Sequence, residues 1–306
     1  MSTKPIYWLH CQKMAMSETI ASLLEWALQT LTDKSPLFQS DSPRIDAEIL
    51  LAHTLSKSRT YLLTWPEKNV DADRGNTFRS LVEQRCEGQP IAYLTEEWEF
   101  WSLPLKVNTS TLIPRPETEC LIELALGKCS AKHAVVADLG TGSGAIALAL
   151  ASERSNWSVL ATDASLEALD VARANAEILG LGHIEFLLSN WFSDIPDKQF
   201  DLIISNPPYI DELDPALEAS VINWEPRQAL ISGLKGMADL KIIINQAKYF
   251  LKAGAWLLVE HGYNQGEAVA QLFQQGGYKN INTEQDLNGL DRVTCGLCPG
   301  KTNGQL

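Results

Sequence analysis

The chain has 306 residues, 45% of them hydrophobic, and this length and composition predict two ordinary globular domains. With 25 basic and 38 acidic residues, it carries a formal net charge of −13. An acidic chain lacks the basic surface that displaces counterions from a nucleic acid, so we expect no nucleic-acid partner. No segment is long and apolar enough to span a bilayer, and we expect no membrane partner.

The cysteines indicate the cellular compartment. Six of them are scattered along the chain, and the first residues show no signal-peptide pattern. Reduced thiols and a cytoplasmic location are therefore expected. Cys295 and Cys298 have the spacing of a zinc knuckle, but no second pair accompanies them, so we expect no metal site.

The chain begins with a leader and a helical segment. Residues 1–17 carry no clear motif and are expected to be a disordered leader or an over-long start, with Ser17 placed to cap the first helix. Residues 18–88 repeat apolar side chains at helical spacing and show no strand signals. This periodicity predicts a small helical bundle, in which we find no evident catalytic residue.

A linker follows at residues 89–112. Aromatic and β-branched residues separated by short polar steps predict a hairpin between Ile91 and Val107. The hairpin leads into a proline-rich segment, Ile113–Glu117, in which Pro116 is suited to the first turn of a helix.

From residue 113 to residue 306, strand and helix patterns alternate. The predicted strands are Ala134–Asp138, Ser158–Asp163, Ile184–Ser189, Asp201–Ser205, Trp256–Glu260, Ile281–Thr283 and Val293–Leu297. The alternation predicts an α/β domain with a doubly wound, Rossmann-like sheet. Such sheets bind ligands beyond the carboxyl ends of the strands, at the topological switch point.

A glycine turn joins the first of these strands to a helix. Residues Asp138–Gly144 read Asp-Leu-Gly-Thr-Gly-Ser-Gly and precede an apolar, helix-like run. The glycines permit positive φ and close approach of the backbone to a ligand, and the helix N-terminus offers unpaired N–H groups. Asp163 ends the next strand, at the spacing of a carboxylate that binds ribose hydroxyls. The sequence therefore predicts a nucleotide-binding turn.

The tetrapeptide Asn206-Pro207-Pro208-Tyr209 follows the apolar run Phe200–Ser205. The two prolines stop the strand from turning directly into a helix and leave the carbonyls of Asn206 and Pro207 free. The Asn206 amide oxygen and a nearby carbonyl can accept both hydrogens of one NH2 group, while Pro208 and Tyr209 pack on its flat faces. The motif indicates methyl transfer to nitrogen; a proline-rich turn after a buried strand is the structural alternative.

The glycine turn alone does not identify its cofactor, since Gly140, Gly142 and Ala145 also fit the dinucleotide pattern G-x-G-x-x-A. Asp138 ends the strand where a carboxylate would repel a pyrophosphate but could hold a ligand ammonium group. Together with the tetrapeptide at Asn206, this favours S-adenosylmethionine. Capping of the glycine turn is the alternative role of Asp138.

Six segments, in order, resemble the pattern of the HemK/PrmC family of release-factor glutamine methyltransferases. They are Gly88–Leu94, Glu99–Trp101, Thr111–Glu119, Asp138–Gly144, Asn206–Ile210 and Glu260–Gly262. The resemblance runs from about the first helix to the end of the chain. It departs at Glu96, where the family usually has Gly, and at Asn190, where the family commonly has Asp. An Asn still accepts a hydrogen bond from an adenine amino group.

The resemblance implies a class I S-adenosylmethionine methyltransferase that modifies the glutamine side-chain amide in the Gly-Gly-Gln loop of class-1 peptide chain release factors. It implies cofactor contacts at Gly140, Thr141, Gly142, Ser143, Gly144, Asp163, Trp191 and Asn206. It implies a catalytic and substrate site at Asn206, Pro207, Pro208 and Tyr209, next to a linker that lines the cofactor pocket. Residues 18–88 would dock the partner, residues 113–306 would catalyse, and a monomer is expected.

Three other functions stay open from the sequence. Methylation of an exocyclic amine in DNA or RNA needs the same Asn-Pro-Pro-aromatic clamp, and the lack of a basic domain argues against it. Methylation of a glutamine in a ribosomal protein is distinguished only weakly. A catalytically silent module that binds S-adenosylmethionine is disfavoured by the intact tetrapeptide.

Three further residues invite a functional interpretation. His261 has no paired nucleophile, so we expect it to be structural or part of a pocket wall. Glu225, in Glu225-Pro226-Arg227, is expected to belong to a surface turn that shapes the substrate entrance. Core packing is the alternative to the adenine contact implied for Trp191.

Overall fold

The computed structural model describes residues 18–33, 40–214 and 223–299. These residues form two compact units, one ending at Thr95 and the other beginning at Glu96. The leader expected at residues 1–17, with Ser17 as a helix cap, lies outside the described residues.

The first unit is helical, as predicted. Its helices are α1 (Ile20–Asp33), α2 (Pro43–Leu55), α3 (Arg59–Thr64), α4 (Ala72–Cys86) and α5 (Ile91–Thr95). Ser58 and Asp71 cap α3 and α4 by accepting hydrogen bonds from backbone N–H groups three residues ahead. Two strands of two residues each, β1 (Glu18–Thr19) and β2 (Asn69–Val70), form a short antiparallel pair. The sequence did not predict them, because two residues show no periodicity.

The hairpin is shorter than predicted. Only β3 (Glu97–Phe100) and β4 (Leu103–Lys106) form it, and the preceding residues from Ile91 are helical. The Pro90 carbonyl accepts hydrogen bonds from the N–H groups of Tyr93 and Leu94, which starts a helical turn. Consecutive residues in this stretch are buried, so its pattern lacks the alternation of a half-buried strand.

The second unit contains the doubly wound sheet that the sequence predicts. Its strands are β5 (Val135–Leu139), β6 (Ser158–Asp163), β7 (Glu185–Leu188), β8 (Phe200–Ser205), β9 (Leu251–Glu260), β10 (Lys279–Gln285) and β11 (Asp291–Leu297). The strand order is β10-β11-β9-β8-β5-β6-β7, and only β11 runs against the others. The predicted bounds of β6 are confirmed, whereas β9 begins well before the predicted Trp256.

Helices cover both faces of this sheet. They are α6 (Glu119–Lys128), α7 (Ala145–Glu153), α8 (Leu166–Ile178), α9 (Ala238–Phe250) and α10 (Gly266–Gln275). Neighbouring strand residues point to opposite faces, so Val136 joins one buried core and Ala137 the other. Cys295 and Cys298 are likewise buried in different cores. A 3-10 turn that begins at Pro116 leads into α6, which confirms that this proline opens the helix.

The switch point of the sheet lies between β5 and β8. Leu139 and Ser205, at the ends of these parallel strands, are register partners, and the Ser205 hydroxyl donates to the Leu139 carbonyl at 2.7 Å. Gly140 and Asn206 therefore leave the sheet side by side. No helix among the described residues is long and apolar enough to cross a membrane.

Candidate active site

A cavity of about 240 Å³ opens beyond the carboxyl ends of β5, β6 and β8. Six of the residues predicted from the sequence line it: Gly140, Gly142, Asp163, Trp191, Asn206 and Pro208. The remaining predicted residues flank these positions in the chain: Thr141, Ser143, Gly144, Pro207 and Tyr209. The wall also contains Ser110 and Thr111, from the linker that the resemblance places at the pocket, and Pro226, from the turn expected at the substrate entrance. Gln228 and Asp239 line it as well, and sequence reasoning did not assign them to the site. The structure thus brings the glycine turn and the tetrapeptide to one cavity.

The glycine turn requires its glycines for two reasons. Gly140, Gly142 and Gly144 have φ angles of +73°, +55° and +86°, a region that side chains disfavour. At Gly144, a Cβ atom would also lie 3.0 Å from Leu148 Cδ1 and 3.1 Å from Ala172 Cβ, because α8 packs closely there. At Gly142, no atom lies within 4 Å of a Cβ position, so the turn leaves open space beside the cavity. A ligand can approach this part of the backbone closely.

The structure favours the capping role of Asp138. Its side chain is fully buried, and Oδ2 accepts hydrogen bonds from Thr141 Oγ1 at 2.6 Å and from the Ala147 N–H at 3.2 Å. Burial raises the pKa of the Asp138 carboxyl to about 7, although these two donors lower it. Asp138 does not line the cavity, so these contacts support the capping alternative, and the expected contact with a ligand ammonium group stays a prediction.

Asp163 lies at the end of β6 and on the cavity wall, as predicted. Its Oδ2 accepts from the Gly142 N–H and its Oδ1 from the Ser165 N–H, each at 2.9 Å. Burial raises the pKa of the Asp163 carboxyl, and these backbone donors oppose the rise. Each carboxylate oxygen retains a second acceptor site, so ribose hydroxyls could bind here. The contact with Gly142 couples the carboxylate to the glycine turn.

Trp191 adopts an unfavourable backbone conformation on the cavity wall. Its φ is +51°, a region that bulky residues rarely occupy. A Cβ atom at Gly140 would lie 3.3 Å from the Trp191 ring, so the ring rests against the glycine turn. The indole Nε1 donates to Asp239 Oδ1 at 3.1 Å. Asp239 lies in the first turn of α9, and in the sequence it is indistinguishable from an ordinary acidic residue at that place in a helix.

The tetrapeptide is held in place from several sides. Asn206 Nδ2 donates to Thr118 Oγ1 at 3.1 Å, and the Tyr209 hydroxyl donates to Glu260 Oε1 at 3.3 Å. Gln265 Nε2 donates to the Tyr209 carbonyl at 3.0 Å. No described donor bonds to the carbonyls of Asn206 or Pro207, as the two prolines lead us to expect.

Glu260 and His261 follow one another at the end of β9 and differ in role. Glu260 is 1% exposed, and burial raises the pKa of its carboxyl to about 7. The Thr118 hydroxyl and the charge of Arg292 lower this pKa but do not offset the effect of burial. Burial lowers the pKa of His261. One ring nitrogen of His261 contacts the Gly262 carbonyl at 2.9 Å and the other the Thr294 hydroxyl at 2.8 Å. His261 is thus structural, as expected.

The surface turn expected at Glu225-Pro226-Arg227 is confirmed only in part, because Arg227 is exposed but the Glu225 side chain is buried. Glu225 is only 4% exposed, and its Oε2 accepts a hydrogen bond from the Ile113 N–H at 3.2 Å. Its Oε1 forms an ion pair with Arg115. The pair ties the proline-rich segment to the chain after the tetrapeptide, and the next residue, Pro226, lines the cavity. Sequence position alone could not show that this carboxylate is buried.

Both units of the chain match known protein families. Residues 22–95 match the PrmC N-terminal domain, and residues 118–233 match the methyltransferase small domain. The chain is 46% identical over 282 residues to the release factor glutamine methyltransferase of Aliivibrio fischeri. This alignment covers 92% of this chain and 98% of that protein. It is 47% identical over 262 residues to the release factor glutamine methyltransferase of Escherichia coli strain K12. This alignment covers 86% of this chain and 95% of that protein.

One solved structure shows the same fold. The hMettl16 catalytic domain in complex with the MAT2A 3′UTR hairpin 6 aligns with a TM-score of 0.52 and 15% identity, over 80% of this chain and 88% of that chain. The second unit therefore has the class I methyltransferase fold that the sequence predicts. The match to a methyltransferase domain and the identity to release factor glutamine methyltransferases show that S-adenosylmethionine is the methyl donor. High identity over most of the length of the curated relatives confirms the resemblance seen in the motifs. The chain belongs to the release factor glutamine methyltransferase family.

Proposed function

We propose that this protein transfers a methyl group from S-adenosylmethionine to the side-chain amide nitrogen, N5, of the glutamine in the Gly-Gly-Gln loop of class-1 peptide chain release factors. The observation that carries the proposal is the meeting of the glycine turn and Asn206 at one cavity. The family relationship supplies the substrate, since the relatives are named release factor glutamine methyltransferases.

The cavity fits the cofactor. Open space beside Gly142 admits a ligand close to the backbone, and Asp163 presents a carboxylate to ribose hydroxyls. Trp191 offers an aromatic face for the adenine, and the exposed Asn190 beside it lines the same wall. When bound, S-adenosylmethionine supplies an electrophilic methyl group.

The tetrapeptide prepares the acceptor nitrogen. An amide nitrogen is a poor nucleophile because its lone pair is delocalised into the carbonyl. Asn206 Oδ1 and the Pro207 carbonyl accept the two amide hydrogens, while Pro208 and Tyr209 pack against the flat group. The site thereby supplies orientation and proximity in place of a strong base.

The helical first unit serves to dock the folded release factor. Its surface exposes apolar side chains around α3, with Leu63 58% and Trp65 45% exposed. Contacts far from the reacting glutamine raise the chance that a mobile loop reaches the cavity.

Mass spectrometry after incubation with S-adenosylmethionine tests the substrate. We expect one added methyl group on the loop glutamine of an intact class-1 release factor, and slower transfer to a short peptide with the same loop. Methylation of a ribosomal protein or a nucleic acid, and not of the release factor, would refute the proposal that a release factor is the substrate.

Surface variants test docking. Leu63→Ser and Trp65→Ser should raise KM for the intact factor, by roughly tenfold if they are central contacts, and leave the peptide reaction unchanged. Ile178 is 54% exposed in the second unit, so Ile178→Ser is the matched control. Equal rates on the factor and the peptide would rule out docking.

A further inference from the structure

Two separate segments of the chain contribute to the cavity wall beside the tetrapeptide. We call residues 110–112 the linker wall and residues 226–229 the turn wall. Each segment is held by its own hydrogen bonds. In the linker wall, the Thr111 N–H donates to the Asn108 carbonyl at 3.0 Å. In the turn wall, the first carbonyl accepts from the Ala229 N–H at 2.9 Å. An anchor at one end of either segment therefore positions the whole of it.

One buried carboxylate anchors both walls. Glu225 directly precedes the turn wall, and Ile113 directly follows the linker wall. Glu225 Oε2 accepts from the Ile113 N–H at 3.2 Å, and Glu225 Oε1 pairs with the Arg115 guanidinium. Because the two oxygens of one side chain bind two points of the same segment, they fix both the position and the direction of the linker wall relative to the turn wall.

These contacts complete a closed ring of bonds that includes the tetrapeptide. On one side, the Thr118 N–H donates to the Arg115 carbonyl at 3.0 Å, and Thr118 Oγ1 accepts from Asn206. On the other side, Leu230 directly follows the turn wall, and its carbonyl accepts from the Ile210 N–H at 3.0 Å. Asn206 begins the tetrapeptide and Ile210 follows it, so the tetrapeptide closes the ring. The buried carboxylate is the link between the two walls.

The chemistry of this pair favours a role in geometry over a role in stability. Desolvation of a buried carboxylate offsets much of its attraction to a cation, so a well-packed apolar pair would stabilise the fold as well. A carboxylate with two directed, charge-assisted contacts instead holds its partners in one arrangement. Walls that are held before the ligand arrives need less ordering on binding, and this raises affinity.

We propose that Glu225 is a positioning residue for S-adenosylmethionine: it joins the linker wall to the turn wall and thereby sets the affinity of the cavity for the cofactor. The inference goes beyond the proposed function, because it does not depend on which molecule accepts the methyl group. Loss of the Glu225 contacts leaves the glycine turn and Asp163 in place but frees two segments of the wall. The cofactor must then order these segments when it binds, so it binds more weakly.

Calorimetric titration with S-adenosylmethionine tests this role, at a temperature where circular dichroism shows each variant to be folded. Glu225→Gln keeps the shape of the side chain and removes its charge, whereas Arg115→Ala removes the cation. We expect the Kd to rise roughly tenfold in each variant. The double variant should bind no more weakly than either single variant, because each breaks the same link. Arg115→Lys retains a cation and should stay within about threefold of the wild type.

Asp201→Asn is the matched control. The Asp201 carboxylate also accepts from a backbone N–H, that of Val135 at 2.8 Å, and pairs with a cation, Lys252 Nζ at 2.7 Å. It lies near the amino ends of β5 and β8 and does not line the cavity. Asp201→Asn should lower Tm and leave the Kd unchanged. If Glu225→Gln and Arg115→Ala behave in the same way, with a lower Tm and the wild-type Kd, the inference is overturned.

A second measurement needs no ligand. Amide hydrogen exchange, followed by mass spectrometry, should be at least about fivefold faster in Glu225→Ala than in the wild type for the peptide that contains Ile113, and unchanged for the peptide that contains the glycine turn. Unchanged exchange at Ile113 would also overturn the inference, since the carboxylate would then not hold the linker wall. Failure of the wild type to methylate a release factor would refute the proposed function and leave both of these measurements valid.

Discussion

Trp191 Nε1 donates a hydrogen bond to Asp239 Oδ1 at 3.1 Å across 48 positions of the chain. The other oxygen of this carboxylate accepts from the Ser232 hydroxyl at 2.6 Å. Asp239 thereby holds the indole ring against Gly140 in a backbone conformation that Trp191 would not adopt unaided.

Removal of this carboxylate should weaken cofactor binding. In Asp239→Ala, the indole loses a charge-assisted hydrogen bond worth roughly 1.5–3 kcal/mol, and part of that loss should appear as a higher Kd for S-adenosylmethionine. Calorimetric titration measures the Kd. Asp239→Asn keeps one acceptor oxygen, so its Kd should lie between those of Asp239→Ala and the wild type. An unchanged Kd in Asp239→Ala would show that the ring position does not matter for binding.

Asn206→Ala should separate catalysis from binding. The variant loses the oxygen that orients the acceptor nitrogen, a loss that can cost on the order of 100-fold or more in rate. The cofactor Kd should stay within about twofold, since the glycine turn and Asp163 are unchanged. A transfer assay paired with calorimetry tests both statements. Wild-type activity in the variant would remove Asn206 from the mechanism.

Asp163→Ala should raise the Kd for S-adenosylmethionine. Two ribose hydroxyls lose a charged acceptor worth roughly 1.5–3 kcal/mol, and the Gly142 N–H loses its partner as well. Asp170→Ala, an exposed carboxyl on α8, controls for the loss of negative charge. If both variants bind the cofactor like the wild type, the ribose contact lies elsewhere.

Glu96→Gly should stabilise the protein. Glu96 is exposed and has a φ of +57°, in the left-handed region that favours glycine. Relief of the left-handed conformation should raise the free energy of unfolding by about 1 kcal/mol, partly offset by the greater freedom of Gly in the unfolded chain. Thermal unfolding measures the gain. Glu97→Gly, in the neighbouring strand β3, should instead lower Tm.

Two buried carboxyls, Glu260 and Asp138, should contribute less to stability as the pH rises from about 4.5 to about 7. The pKa of Glu260 rises from 4.5 to about 7 on folding and that of Asp138 from 3.8 to about 7, both through burial. Between these values the two carboxyls bind more protons in the folded protein than in the unfolded chain, so their proton loss favours unfolding.

Chemical denaturation at about pH 5 and about pH 8 checks this sign, with Glu260→Gln as the comparison. The wild type should lose stability relative to Glu260→Gln between the two pH values. If the difference in unfolding free energy between the wild type and Glu260→Gln is the same at both pH values, Glu260 ionises in the folded protein as it does in the unfolded chain.

The fold and the two motifs of the site were predictable because they depend on local physics. Strand and helix periods alternate after residue 113, and the glycine turn and the tetrapeptide each follow a predicted strand. Parallel strands bring their carboxyl ends to one edge, so the meeting of Gly140 and Asn206 follows from the topology. Prediction was wrong where local pattern was ambiguous, as at Ile91–Thr95, where consecutive burial hides the period.

The sequence by itself determined that the glycine turn and Asn206 reach one edge of the sheet, since φ preferences, proline geometry and strand alternation act over a few residues. Only the tertiary structure decided what holds those groups. Thr118 meets Asn206 across 88 positions, and Glu260 meets Tyr209 across 51. It also decided that Asp138 is buried and bonded to Thr141 of the glycine turn, and that Glu225 is buried. Such contacts depend on sheet register and helix packing, and the pattern of a single segment contains no information about either.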